Sequence, residues 1–174
     1  MTLLDGKALS NKIKEEVRVE VEELKEKKRV TPGLSVILVG DDPASATYVR
    51  SKAKSCEAAG IYSEVHEKPS STIQEELLEM INKMNNDDKL DGILVQLPLP
   101  KHIDTTTVLE AINPLKDVDG FHPYNVGRMV SNLDSFLPAT PFGVMRIFEE
   151  YGIELKGKNA VVIGSSDIVG KPMA

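Results

Sequence analysis

Residues 42–52 read Asp-Pro-Ala-Ser-Ala-Thr-Tyr-Val-Arg-Ser-Lys and follow an apolar run at residues 34–40. Asp42 suits a helix N-cap, and Pro43 suits the first helical position, where the missing amide hydrogen would have no partner anyway. An apolar run of this length, closed by a glycine, is typical of a strand buried on both faces. The stretch therefore predicts a buried strand followed directly by a helix, and the rest of the chain is arranged around this pair.

Tyr48 and Lys52 lie four positions apart on the predicted helix, so their side chains share one face about 6 Å apart. A tyrosine and a lysine at this spacing also occur by chance on many solvated helices, so the spacing alone is weak. The pair lies within about two turns of the strand's carboxyl end, where open α/β sheets bind their ligands. We predict that Tyr48 and Lys52 belong to a reaction centre.

The composition predicts a soluble globular protein. The 174 residues are 41% hydrophobic and 28% charged, enough for one sizeable core or for one domain and part of a second. A net charge of −6 argues against a nucleic-acid partner. The single cysteine, Cys56, excludes an internal disulfide. No apolar run reaches membrane-spanning length, and charged residues precede any signal-peptide segment, so we expect a cytoplasmic protein without a membrane partner.

Helical and strand-like patterns follow one another along the first 132 residues. The predicted helices cover residues 8–27, 43–59, 72–84, 105–112 and 125–132, and the predicted strands cover residues 34–40, 61–66 and 91–96. Connections of helix length between strands are typical of a parallel sheet with helices on both faces. We therefore predict a three-layer α/β domain with a mostly parallel sheet.

Two later helix starts carry capping signals of their own. Ser71, with Gln74 three residues on, matches a capping box, and Ile73 should begin the buried stripe of that helix. Thr140-Pro141 repeats the pattern of a cap followed by proline. This second signal predicts a helix over residues 140–151, with Gly152 as its stop.

Gln96 ends the third predicted strand, at the edge where the helix carrying Lys52 begins. A core glutamine is costly unless it is fully hydrogen-bonded, so we favour a role in the site. Asp117 and Asp119 follow in an irregular loop. A calcium loop there would need a third acidic ligand and a closing glutamate, and no zinc-ligand spacing is present, so we predict no metal site. Ligand recognition and simple turn formation remain alternatives for the two aspartates.

Residues 158–172 combine a predicted strand (158–163), a turn at Gly164, Ser165 and Ser166, and a helix start. These are the elements of a dinucleotide site, where backbone amides and the helix end receive a pyrophosphate. The glycine spacing is not the usual one, so an ordinary glycine turn remains an alternative. We predict one domain over residues 1–138 and the first βα unit of a Rossmann-type domain over residues 139–174.

At this point the chain resembles the bifunctional methylenetetrahydrofolate dehydrogenase/cyclohydrolases of one-carbon metabolism. Five motifs in order carry the resemblance: PASATYVRSK (43–52), GILVQLPLP (92–100), KDVDGFHPYNVGR (116–128), PATPFG (138–143) and VVIGSSDIVGKP (161–172). Enzymes of this family oxidise 5,10-methylenetetrahydrofolate by hydride transfer to a nicotinamide cofactor, usually NADP. They then hydrolyse the methenyl product to 10-formyltetrahydrofolate.

The resemblance implies roles for individual residues of this chain. Tyr48 would lie against the pteridine ring, Lys52 would serve the proton transfers, and Gln96 would hydrogen-bond Lys52. Asp119 would receive the pterin N–H groups, and residues 164–166 would contact the cofactor. The resemblance also implies a homodimer.

One departure and two alternatives accompany the resemblance. Asp167 adds negative charge near the expected cofactor phosphates, so NAD is not excluded beside NADP. No further βα unit follows residue 174, so we expect this chain by itself to lack dehydrogenase activity.

A short-chain dehydrogenase also uses a tyrosine and a lysine four apart, but its glycine turn precedes the tyrosine. A non-catalytic folate- or nucleotide-binding module is the second alternative.

Overall fold

The structure is a computed structural model and describes residues 3–174. In chain order, its elements are α1 (Gly6–Lys28), β1 (Gly33–Val39), α2 (Pro43–Ala59), β2 (Tyr62–Lys68), α3 (Gln74–Asn85), β3 (Gly92–Val95), α4 (Thr105–Ala111), α5 (Pro123–Val130), α6 (Ala139–Glu150) and α7 (Gly170–Met173). The chain divides into two compact units. We call residues 14–118 the sheet unit, and residues 3–13 with 119–174 the helical unit.

The sheet unit contains a three-stranded parallel sheet in the order β2-β1-β3. In the central strand, Val36 lies opposite Val65 of β2 and Leu94 of β3. Helices connect the strands, as parallel neighbours require. The α/β fold class and the three strands predicted in the first domain are confirmed.

The two faces of the sheet bury separate sets of side chains. Successive residues of a strand point to opposite faces, so Ile37 and Val39 belong to one core while Val36 and Leu38 belong to the other. Helices α3 and α4 cover the first face and α2 covers the second. The larger core contains Ile37, Val39, Leu77, Ile81, Met84, Leu90, Ile93, Val95, Ile103, Val108 and Ile112. This arrangement is the predicted three-layer packing.

Helix α2 begins and ends as predicted. Asp42 Oδ1 accepts a hydrogen bond from the Ser45 amide at 2.7 Å, and this bond holds the pKa of Asp42 below its usual value. Pro43 occupies the first turn, and Gly60 ends the helix with φ of 75° in the left-handed region. Cys56 is buried on the same helix, and burial raises the pKa of its thiol.

The predicted start of α3 is wrong. The helix begins at Gln74, its N-cap is Ile73, and no side chain caps it. Gln74 Oε1 instead accepts from the Asp104 amide at 2.7 Å, while the Thr72 hydroxyl donates to the Pro69 carbonyl. Ile73 is 57% exposed rather than buried. A contact thirty residues away therefore competes successfully with the local capping box.

The start of α6 is also displaced from its prediction. The helix begins at Ala139 with Pro138 as N-cap and no side-chain cap, so Thr140 lies inside the first turn. Gly152 follows the helix with φ of 63°, as a C-terminal stop requires. Within the helical unit, Lys12 forms an ion pair with Glu150 at 2.7 Å, which joins the start of α1 to the end of α6.

The strand predicted over residues 158–163 is not formed. Ile163 is 98% exposed and Val161 is 87% exposed. A strand needs a neighbour to pair its backbone groups, and among residues 3–174 this segment pairs with none. The turn that follows is nonetheless ordered by its own hydrogen bonds.

Candidate functional site

The carboxyl edge of the sheet brings Lys52 of α2 to Gln96, the residue after β3. Lys52 Nζ donates a hydrogen bond to Gln96 Oε1 at 3.1 Å, and both side chains are half-buried. The central strand holds Gln96 in place, because the backbone N–H of Gln96 donates to the backbone carbonyl of Ile37 at 2.9 Å. The hydrogen bond implied by the resemblance is thus present, while the catalytic roles stay predictions.

The amide group of Gln96 has a defined orientation. Its Nε2 donates to the Leu97 carbonyl at 2.7 Å, which turns Oε1 towards the Lys52 amine. A neutral amide oxygen orients an amine without holding it in the ammonium form as strongly as a carboxylate does. The pair therefore presents an oriented amine at the carboxyl edge of the sheet.

Tyr48 lies one helical turn before Lys52, and its ring is 63% exposed. The i,i+4 spacing puts both side chains on one face of α2. An exposed aromatic ring beside a polar pair offers a flat surface on which a ring-shaped ligand can stack. The structure therefore groups Tyr48, Lys52 and Gln96 within the sheet unit.

Asp117 belongs to the sheet rather than to an open loop. It is 1% exposed and forms a parallel bridge with Ile93 of β3, whose amide donates to the Lys116 carbonyl at 2.7 Å. This single bridged pair places Asp117 beside β3 at the edge of the sheet. Of the two aspartates considered for ligand recognition, Asp117 is therefore buried at the edge of the sheet.

Asp119 is the first residue of the second segment of the helical unit and is half-buried. Gly120 after it has φ of 69°. A Cβ atom there would lie 2.6 Å from the Leu137 carbonyl carbon and 2.8 Å from the Pro138 nitrogen, so only glycine fits. This packing was not predicted from the sequence, although a glycine directly after Asp119 was a signal for a close backbone approach.

The histidines near the loop make backbone contacts. His102 Nε2 donates to the Thr72 carbonyl at 2.8 Å, and His122 Nδ1 accepts from the Tyr124 amide at the start of α5. Over residues 3–174, no group of three or more His, Cys, Asp or Glu side chains has the arrangement of a metal site. Within the same range, no helix has the length and apolar character needed to cross a bilayer.

The glycine turn of the helical unit is closed by its own residues. Ser166 Oγ accepts from the amides of Val169 and Gly170, each at 3.2 Å. A Cβ atom at Gly170 would lie 2.5 Å from the Gly164 carbonyl oxygen, so the absence of a side chain at Gly170 allows a close approach of backbone to backbone. A dinucleotide site uses a backbone approach of this kind, while the amides of Val169 and Gly170 are bonded to Ser166 in this structure. Asp167 forms an ion pair with Lys171 on the exposed side of the turn.

Comparison with known proteins gives matches over both parts of the chain. Residues 4–119 match the tetrahydrofolate dehydrogenase/cyclohydrolase catalytic domain, and residues 138–174 match the NAD(P)-binding domain of the same family. The bifunctional protein FolD of Aliarcobacter butzleri is 79% identical over 174 residues, which are 100% of this chain and 61% of the relative. The chain thus spans about three fifths of the length of the curated relatives it matches.

Two solved structures extend this likeness to the fold. The FolD methylenetetrahydrofolate dehydrogenase/cyclohydrolase of Campylobacter jejuni has a TM-score of 0.97 at 57% identity, over 100% of this chain and 62% of its own. The Trypanosoma brucei enzyme, complexed with NADP cofactor and inhibitor, has a TM-score of 0.95 at 38% identity, over 99% and 59%. The chain belongs to the tetrahydrofolate dehydrogenase/cyclohydrolase family.

Proposed function

We propose that the protein catalyses two steps of one-carbon folate metabolism, with Lys52 as the proton-transfer residue. The first step is NADP-dependent oxidation of 5,10-methylenetetrahydrofolate to 5,10-methenyltetrahydrofolate, and the second is hydrolysis of that product to 10-formyltetrahydrofolate. The observation that carries the proposal is the hydrogen bond between Lys52 and Gln96 at the carboxyl edge of a parallel sheet. Family membership supports the choice of substrate.

The hydrolysis needs a group that first accepts and then donates a proton. Water attacks the methenyl carbon, and the Lys52 amine accepts a proton from the attacking water. The resulting ammonium then donates this proton to the pteridine ring nitrogen as the bond between that nitrogen and the methenyl carbon breaks. The remaining hydroxyl proton is released to water as the formyl C=O forms. The positive charge of the bound methenyl group favours the neutral amine before attack. Gln96 keeps the amine pointed at the reacting carbon.

Tyr48 and Asp119 complete the proposed folate recognition. The exposed ring of Tyr48 would stack against the pteridine, which is itself flat and aromatic. The Asp119 carboxylate would accept paired hydrogen bonds from the pterin N–H groups, a geometry that carboxylates satisfy well. These two roles rest on the motifs that contain the residues.

The proposal assigns the cofactor to the glycine turn. Gly164, Ser165 and Ser166 would hold the dinucleotide phosphates of NADP, or of NAD, and the bound nicotinamide would supply the hydride acceptor. The exposed ion pair between Asp167 and Lys171 offsets the lysine charge beside the expected phosphates, so NAD stays an alternative to NADP. We also propose that the boundary between the two domains lies between residues 138 and 139. The protein would act as a homodimer in the cytoplasm.

Loss of 5,10-methenyltetrahydrofolate absorbance tests the hydrolytic step. The Lys52→Ala chain should lose about 10²- to 10⁴-fold in rate, the usual contribution of general acid–base catalysis. Lys54→Ala removes the same charge from an exposed position two residues away and should keep the rate. An unchanged rate in Lys52→Ala would contradict the proposal. Substrate binding without turnover by the parent chain would favour a non-catalytic folate-binding module.

A further inference from the structure

The amine of Lys116 lies at the C-terminal end of α3. Its Nζ donates to the carbonyl oxygens of Met84 at 3.2 Å and Asp87 at 2.8 Å. The last carbonyls of a helix have no helical partner and carry the negative end of the helix dipole. An ammonium group there gains both hydrogen bonds and a favourable charge interaction. These two hydrogen bonds hold the Lys116 side chain at the end of α3, about thirty residues earlier in the chain.

Asn85, the last residue of α3, provides a second attachment for the same segment. Its Nδ2 donates to the Ala111 carbonyl at 2.8 Å, and its Oδ1 accepts from the Asn113 amide at 2.8 Å. One side-chain amide thus satisfies a backbone acceptor and a backbone donor two residues apart. Together with Lys116, it holds residues 111–116 against a single helix end.

Strand β3 fixes the last part of the segment. The Ile93 amide donates to the Lys116 carbonyl, and Asp117 pairs with Ile93. A Cβ atom at Gly92 would lie 2.5 Å from Val118 Cγ1, so the segment packs tightly on β3. A slip of one residue would move the next position by about 3.3 Å, which exceeds the tolerance of a hydrogen bond.

We propose that Lys116, assisted by Asn85, is a positioning residue that sets where Asp119 leaves the sheet unit. Only Val118 separates Asp119 from the anchored segment, residues 111–117. The position of the Asp119 backbone therefore depends on the register in which that segment pairs with β3. The inference rests on the proposed role of Asp119 in pterin recognition. Lys116 itself touches backbone carbonyls and takes no part in the proton transfers.

Amide hydrogen exchange without folate tests the anchor itself. Lys116→Met keeps the side-chain length and removes the donors, so the amides of Ile93 and Val118 should exchange about tenfold faster or more. Lys83→Met removes the same charge from an exposed lysine in the last turn of the same helix and should leave both amides unchanged. Unchanged exchange in Lys116→Met would overturn the inference, whatever the folate experiments show.

Binding of 5,10-methenyltetrahydrofolate tests whether the anchor acts through Asp119. Lys116→Met should weaken binding about tenfold in the parent chain and have no further effect in Asp119→Ala, because coupled residues are not additive. An equal loss in both backgrounds would assign Lys116 a merely structural role and overturn the inference alone. Undiminished binding by Asp119→Ala would refute the proposed role of Asp119, and the inference would fall with it.

Discussion

Two segments of this chain share one local plan but have different surroundings. Residues 34–40 and residues 160–164 are both mainly apolar stretches that end in a glycine with positive φ, and both precede the start of a helix. The first forms the central strand of a sheet, with a strand on either side and helices over both faces. The second has no strand beside it among residues 3–174, and Ile163 stands 98% exposed.

The difference shows that a strand depends on its partners as much as on its residues. In β1 the backbone groups bond to β2 and β3, and Ile37 is fully buried. In residues 158–163 the same residue types bury little, so neither hydrogen bonds nor the hydrophobic effect selects an extended ladder.

The largest effect concerns matched isoleucines in the two segments. Ile37→Ala should lower the free energy of unfolding by about 2–5 kcal/mol, because it leaves a cavity in a packed core. Ile163→Ala should change that free energy by no more than about 0.5 kcal/mol, as at other exposed positions. Urea denaturation of both variants checks the contrast. Similar losses in the two would show that residues 158–163 pack in solution.

Gln96→Glu sharpens the chemical side of the contrast. A carboxylate beside Lys52 would hold the amine as ammonium, so hydrolysis at pH 7 should fall about tenfold. The rising limb of the pH–rate profile should move to higher pH. Gln74→Glu introduces the same charge at a position that accepts a backbone amide and should leave the profile in place. An unmoved profile in Gln96→Glu would argue against Lys52 as the base.

Glycine substitutions probe the two turns. Gly40 has φ of 97° after a packed strand, so Gly40→Ala should destabilise the protein by about 1 kcal/mol or more. Gly164 has φ of 140°, a Cβ atom there would meet no atom within 4 Å, and the segment before it is largely exposed, so Gly164→Ala should have a smaller effect. Thermal unfolding of both variants measures the difference. A larger loss for Gly164→Ala would reverse our ranking of the segments.

The smallest effect is a difference in acid sensitivity between the two helix starts. Asp42 caps α2 with a carboxylate whose pKa is lowered by hydrogen bonds from Ser45, whereas at the second start the neutral Ser166 hydroxyl accepts from the Val169 and Gly170 amides. Because the folded-state pKa is lowered, the stabilisation is present above the unfolded value of about 4 and is lost as pH falls through the folded value.

Asp42→Asn should therefore remove part of the stability loss that occurs in acid, and Ser166→Ala should leave that pH dependence as it is. Circular dichroism melts between neutral pH and about pH 2 would measure it. Identical acid limbs in Asp42→Asn and the parent chain would contradict the assignment.

Local chemistry made much of the sheet unit predictable. Asp42 acts as a cap through the neighbouring Ser45 amide, so its pattern was sufficient. Ser71 failed as a cap because Gln74 bonds to Asp104, a contact that depends on tertiary structure. The strand over residues 158–163 failed for the same reason, since pairing partners cannot be read from a single apolar run.

The candidate site was predictable to a similar extent. Lys52 and Gln96 were expected at one sheet edge from topology, and their hydrogen bond was expected from the family resemblance. The anchoring role of Lys116 was invisible in the sequence because its partners are backbone carbonyls of a distant helix end. The catalytic and binding roles of the site residues remain predictions.

The most direct test of the central claim is rescue of the Lys52→Ala chain by a small primary amine. Hydrolysis of 5,10-methenyltetrahydrofolate would be followed with and without methylamine in the parent chain, in Lys52→Ala and in the Lys54→Ala control. If the Lys52 amine transfers the protons, Lys52→Ala should be slow alone and should recover in proportion to added methylamine. A Lys52→Ala chain that hydrolyses the substrate at the parent rate without methylamine would contradict the account.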